Sequence, residues 1–177
     1  IEDPNGNRVT TSFDGLGRLQ TLSHTSGATL TIGYNAAGHI STVNDSAGRT
    51  NTFAYDGTGN YLTTVTTSDG KTTTYTYQTT GDARVLHALT SIERGGTIQH
   101  FTYDTRGRLA STYRAGGEQL IQFTCDSGGT VFVSDALGTN QLFYNESGLL
   151  TKVVDPLGHI TTSEFDSDFR LKKLVLP

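Results

Sequence analysis

The sequence predicts an all-β chain of tandem antiparallel β-hairpins, and three observations predict it: a recurring aromatic-Asx-x-x-Gly segment, a second turn between successive copies, and alternating strands. Composition agrees. Of 177 residues only 34% are hydrophobic, 21 are Gly and 3 are Pro, while Thr recurs throughout. Thr, Tyr, Phe and Val fit a pleated, half-buried surface, and Gly supplies the positive φ that tight turns require.

The repeat decides the rest. Phe13-Asp14-Gly15-Leu16-Gly17, Tyr34-Asn35-Ala36-Ala37-Gly38, Tyr55-Asp56-Gly57-Thr58-Gly59 and Tyr103-Asp104-Thr105-Arg106-Gly107 each read aromatic, Asx, two variable residues, Gly. A polar and then an apolar or aromatic residue follows, as in Arg18-Leu19 and Arg108-Leu109. Tyr77-Gln78-Thr79-Thr80-Gly81, Cys125-Asp126-Ser127-Gly128-Gly129 and Tyr144-Asn145-Glu146-Ser147-Gly148 continue the series, and Phe165-Asp166-Ser167-Asp168-Phe169 closes it without the glycine. Tyr34 to Tyr55 is 21 positions, Tyr55 to Tyr77 is 22, Tyr77 to Tyr103 is 26 and Cys125 to Tyr144 is 19. Surface turns tolerate such changes of length. The aromatic, Asx and Gly positions of these segments are the candidate residues of the chain, structural in kind because they define the repeat.

Second turns lie between the copies: Asp3-Pro4-Asn5-Gly6, Thr25-Ser26-Gly27, Asp45-Ser46-Ala47-Gly48, Ser68-Asp69-Gly70, Gly95-Gly96, Gly116-Gly117, Asp135-Ala136-Leu137-Gly138 and Asp155-Pro156-Leu157-Gly158. Two turns per unit mean two strands per unit, each about 6 to 8 residues, joined too tightly to pair other than antiparallel. The strand entering each aromatic alternates, as in Leu30, Ile32, Tyr34 and Ile121, Phe123, Cys125, so one face is apolar and the other mostly polar. The strand leaving each glycine has apolar pairs three apart: Leu19 and Leu22, Ile40 and Val43, Leu62 and Val65, Leu89 and Ile92. Three is odd for a strand, and predicts either a recurrent β-bulge or a strand covered partly on both faces. A bulge in every unit would curve the sheet steadily in one direction. The expected whole is one long, twisted, curved sheet of about 14 to 16 strands, with residues 1–177 a single repeat array truncated at both ends.

These residues resemble the YD-repeat, or Rhs-repeat, family. Gly17-Arg18-Leu19, Gly107-Arg108-Leu109, Tyr55-Asp56 and Tyr103-Asp104 fit its pattern closely, and the resemblance covers essentially the whole chain in about eight copies. It implies a β-strip that spirals into a hollow shell, as in bacterial Rhs and toxin-complex proteins and in teneurins. The partner it implies is a toxin or cargo domain of the parent protein, and the location is secreted or at the cell surface. Cys125 in place of the aromatic and Gln78 in place of Asp are expected to alter only local packing. Phe169 in place of glycine predicts a last unit that ends or turns differently. The family's self-cleaving core and toxin domain have no counterpart here.

Other chemistry is weakly represented. The Asx residues read as Asx-turns, accepting a backbone N–H two residues on, and the Gly pairs do not continue as a calcium-binding roll would require. His24, His39, His87, His100 and His159 have no metal-ligand spacing, and His39 and His159, which occupy a position held by Arg elsewhere, read as surface residues. There is no nucleophile elbow, Cys125 falls at an aromatic position, and Glu93, Glu118 and Glu164 lack placed partners. No enzymatic activity, metal or cofactor is expected. Charged residues are 17% with a net charge of −4 and no basic cluster, which argues against nucleic acid as a partner. No stretch approaches the roughly 20 apolar residues of a membrane span, so membrane insertion is not expected. The lone Cys125 cannot form an internal disulfide. Asn44-Asp45-Ser46 and Asn145-Glu146-Ser147 match the glycan-acceptor pattern.

Phe53, Tyr55, Tyr75, Tyr77, Phe101, Tyr103, Phe123 and Tyr144 should line one sheet face, as core or lumen wall. A sugar-binding platform for cell-surface adhesion is the alternative use of such a row. An excised strip would expose edges and an apolar face, and is expected to self-associate.

Overall fold

Turns closed by glycine and runs of Thr, Val and Tyr turn nearly the whole chain into hairpins. The computed structural model describes residues 3–177, and those residues contain sixteen strands and no helix. They form two compact units, the first extending to Thr79 and including His87–Thr97, the second being Thr80–Leu86 with Ile98–Pro177.

The first unit holds β1 (Val9–Phe13), β2 (Leu19–His24), β3 (Thr29–Tyr34), β4 (Ile40–Asp45), β5 (Thr50–Tyr55), β6 (Leu62–Thr66), β7 (Thr72–Tyr77) and β8 (Leu89–Arg94). The second holds β9 (Thr97–Tyr103) from Ile98 on, β10 (Leu109–Arg114), β11 (Ile121–Cys125), β12 (Val131–Asp135), β13 (Gly138–Tyr144), β14 (Leu150–Val154), β15 (Ile160–Phe165) and β16 (Leu171–Val175). Within each unit every strand pairs antiparallel with its neighbours in sequence. The all-β, tandem-hairpin reading therefore holds, with strands of 5 to 7 residues, slightly shorter than expected.

The apolar pairs three apart are bulges. Ser12 pairs with Thr21 but Phe13 with Leu19, which leaves Gln20 out of the ladder. The same step recurs where Tyr34 meets Ile40, Tyr55 meets Leu62, Tyr77 meets Leu89, Tyr103 meets Leu109, Tyr144 meets Leu150 and Phe165 meets Leu171. The extra residue turns both apolar side chains of the outgoing strand to the aromatic side. The hairpin of Cys125 has no such shift: Cys125, Thr124 and Phe123 face Val131, Phe132 and Val133 in unbroken register. Here Val131 and Val133 alternate with period 2, so no bulge is needed to bring both onto one face. The departure at Cys125 thus extends beyond local packing.

Register sorts the side chains by face. In the first unit Leu30, Ile32, Tyr34, Val43, Phe53, Tyr55, Val65, Tyr75 and Tyr77 share one face. The opposite face is hydroxyl-rich, with rows such as Thr42, Thr52, Thr66 and Thr72. In the second unit Phe101, Tyr103, Ile121, Phe123, Val131, Val133, Leu142, Tyr144 and Val153 share a face. Its opposite face is not simply polar, because His100, Tyr113, Phe132, Phe143 and Val154 lie there. No hydrophobic side chain among the described residues is fully buried. The aromatic rows are half-buried in a single layer and enclose no core.

Candidate functional site

The structure builds one device repeatedly at the aromatic-Asx turns. Asp14 Oδ1 accepts the backbone N–H groups of Leu16 and Arg18, both at 2.9 Å, and Oδ2 accepts Arg18 Nε at 2.8 Å. Asp104 repeats this with Arg106 and Arg108. Asn145 accepts from Ser147 and Leu149, Asp166 from Asp168 and Arg170, Asn35 from His39, Asp56 from Asn60 and Asp126 from Thr130. The bonded N–H groups hold the carboxyls of Asp14, Asp104 and Asp126 below their ordinary value of 3.8, above all the N–H of the residue four positions on. Second turns use the same chemistry at Asp45 and Asp155.

Each turn closes on a residue of positive φ. Gly17 donates its N–H to Asp14 O with φ +76°, and Gly38, Gly59, Gly107 and Gly148 do the same at their turns. In the Tyr77 hairpin the equivalent residue is His87, at φ 71°, whose N–H meets Gln78 O. Gly81 lies instead in the inserted segment, whose local turn is closed by Val85 and Leu86 N–H on Asp82 O. The last hairpin turns like the others after all, with Phe169 at φ 63° donating to Asp166 O. Side chains there make the left-handed conformation costly, by roughly 1–2 kcal/mol, a strain that both His87 and Phe169 carry.

Successive repeats are tied through the aromatic. The hydroxyls of Tyr34, Tyr55 and Tyr77 donate to the carbonyls of Leu19, Ile40 and Leu62, at 2.7, 2.9 and 2.9 Å, always 15 positions back and always at the bulge. The residue just before the strand of that carbonyl supplies a cover for the ring. The Arg18 guanidinium lies 4.2 Å from the Tyr34 ring centre, His39 is 4.9 Å from Tyr55, and Tyr61 is 5.0 Å from Tyr77. Tyr61 in turn stacks on His87 and hydrogen-bonds its Nδ1. His39 is therefore half-buried rather than a free surface residue, and its Nδ1 has no partner. The position after the turn glycine carried this role unseen, since Arg and His interchange there reads as simple exposure.

The structure spreads these residues along rims and faces and does not gather them into one pocket. Among the described residues no three His, Cys, Asp or Glu side chains group as a metal site. Cys125 is a half-buried free thiol, and Glu164 pairs with Lys173, at 3.5 Å.

Comparison with known proteins shows that this fold, a strip of tandem antiparallel hairpins, is shared with chains of Tc toxins. A Photorhabdus luminescens Tc holotoxin pore carrying a TccC3 mutation matches with a TM-score of 0.65 at 13% identity, over 95% of this chain and 12% of that one. A TcdB2-TccC3 crystal structure without its hypervariable C-terminal region matches at 0.55 and 17% identity, and a TcdB2-TccC3-Cdc42 structure at 0.56 and 15%. Each of the latter covers 99% of this chain, and the chain spans about an eighth (12%) of the chain it matches. No family model and no curated protein sequence matches the chain. The shared feature is the fold.

Proposed function

We propose that this chain is a wall segment of a β-shell in a secreted or surface-delivered protein, and that the shell encloses a toxin or cargo domain. The observation that carries this reading is the tie between repeats. The hairpins of Tyr34, Tyr55 and Tyr77 are each fastened to the previous one by a tyrosine hydroxyl on a bulge carbonyl, so units can be added in one direction without an enclosed core. The match to part of a Tc toxin chain supports it. On this reading residues 1–177 act as one array, the aromatic, Asx and Gly residues are structural, and the chain contributes shape in place of catalysis. The aromatic row is poorly suited to sugar stacking, because the rings of Tyr34, Tyr55 and Tyr77 are already covered and their hydroxyls already bonded.

The test is electron microscopy and limited proteolysis of the full-length gene product. A hollow particle containing a fragment that survives protease until the wall is unfolded is the expected result. A solid or filamentous particle, or a cargo region digested as fast in the intact protein as in the denatured one, would overturn the reading.

A further inference from the structure

The face of β12–β16 opposite the aromatic row carries, in an apolar patch, a cation with no carboxylate partner among the described residues. Phe132 lies opposite Gln141, Gln141 opposite Val154, and Val154 opposite Ile160. In the next row Phe143 lies opposite Lys152, Lys152 opposite Thr162, and Thr162 opposite Val175. Lys152 is half-buried, its Nζ 4.6 Å from the Phe143 ring centre, and no carboxylate among the described residues pairs with it. Glu164, on the same face, is engaged by Lys173. The repeat itself does not require this patch, because the corresponding face of β1–β7 is built chiefly of Thr and Ser, with Gly33, Asn44 and Ala54 and without an aromatic ring.

We propose that this face docks an acidic polypeptide segment bearing apolar side chains, with a carboxylate on Lys152 and the apolar groups on Phe132, Phe143 and Val154. Charge selects the occupant. A second copy offering the same face in a two-fold contact would bring Lys152 toward Lys152, and like charges at an interface oppose association. A carboxylate there neutralises a cation already partly withdrawn from water, where attraction is stronger than at an open surface. The docking rests on this patch alone and stands independently of the shell reading.

The experiment titrates the full chain with three short dye-labelled peptides, of alternating Leu and Glu, Leu and Gln, or Leu and Lys, and follows fluorescence anisotropy. The Leu-Glu peptide is expected to bind about tenfold or more tighter than the Leu-Gln peptide, and the Leu-Lys peptide weakest of all. Lys152→Gln should erase the difference between the first two, and Lys152→Glu should reverse the order, with circular dichroism confirming that strand content is kept. Equal binding of the acidic and neutral peptides to the native chain, or an order unchanged in Lys152→Glu, overturns the proposal. Binding to phosphatidylserine vesicles without binding to the Leu-Glu peptide would assign the face to a membrane instead. Concentration-dependent doubling of mass that disappears in Phe143→Ser would assign it to a second copy. Either outcome overturns the acidic-segment proposal.

Discussion

The hairpins of Tyr34, Tyr55 and Tyr77 and the hairpin of Cys125 follow one pattern in sequence but differ in what they do for their neighbours. The first three have a bulge and a tyrosine tied to the preceding repeat. The Cys125 hairpin has neither, and the tyrosine that follows it, Tyr144, is 44% exposed and its hydroxyl bonds none of the described residues. A bulge leaves backbone outside the ladder, and the tyrosine of the next repeat is the donor that satisfies a carbonyl there. The ties of Tyr34, Tyr55 and Tyr77 thus each depend on a bulge, although a bulge does not depend on a tie: those at Leu109 and Leu150 persist where the next repeat offers Cys125 or Phe165, and the strictly alternating Cys125 hairpin gives Tyr144 no bulge to bond.

The largest test of that coupling removes a whole side chain. Tyr77→Ala deletes a half-buried ring, its contact with Tyr61 and its bond to Leu62, and is expected to destabilise the chain by about 2–3 kcal/mol in denaturant unfolding. Cys125→Ala should cost less than about 1 kcal/mol, because it breaks no tie. Equal losses would mean that the ladder contributes nothing beyond ordinary packing.

A second test concerns the turns, which stay alike even where the sequence changes. Gly107→Ala is expected to lose about 2 kcal/mol or more, since its φ of 80° disfavours a side chain and the new Cβ would lie 2.5 Å from Arg84 O. Gly48→Ala, with a similar φ and open space around it, should lose about 1 kcal/mol. Phe169→Gly should move the other way and raise the melting temperature, through release of the left-handed strain at φ 63°. A fall in melting temperature would show that the Phe169 ring holds the last hairpin by contacts outweighing that strain.

Finer still is the hydroxyl alone. Tyr34→Phe, Tyr55→Phe and Tyr77→Phe should each cost about 1 kcal/mol, the net worth of one hydrogen bond plus an unsatisfied carbonyl. Tyr144→Phe should change the unfolding midpoint hardly at all. A uniform response across all four would separate the bulge from the tie and break the comparison.

Much of this was legible in residues alone, and the limits are physical. The spacing of Leu19 and Leu22 announces the bulge, because period 2 admits no odd interval on one face. The same rule read on Val131 and Val133 announces its absence, yet Cys125 draws attention to the missing ring and away from the strand after the turn. The cover on each tyrosine was not legible, since Arg18 and Tyr34 are 16 positions apart and meet only once register is set. Nor was the second apolar face of β12–β16 legible. Phe132, Phe143 and Val154 belong to three different strands, and alternation within one strand does not show which rings from others will share its face.

The smallest expected effect is electrostatic and separates aspartate turns from asparagine turns. Asp14, Asp104 and Asp126 accept backbone N–H bonds that favour the charged carboxylate, and their pKa values fall below 3.8, whereas Asn35 and Asn145 hold the same turn without a charge. A group whose folded pKa is depressed contributes stability that is fully present above its unfolded value, about 3.9, and is lost as pH falls through the folded value. The melting temperature should therefore be level from about pH 7 to 5 and decline below about pH 4. Asp104→Asn should shallow that decline while leaving the neutral plateau nearly unchanged, and Asn145→Asp should steepen it. An acid limb indifferent to both substitutions would show that these turns form equally well with the carboxyl protonated, so that geometry and not charge is what the Asx position supplies.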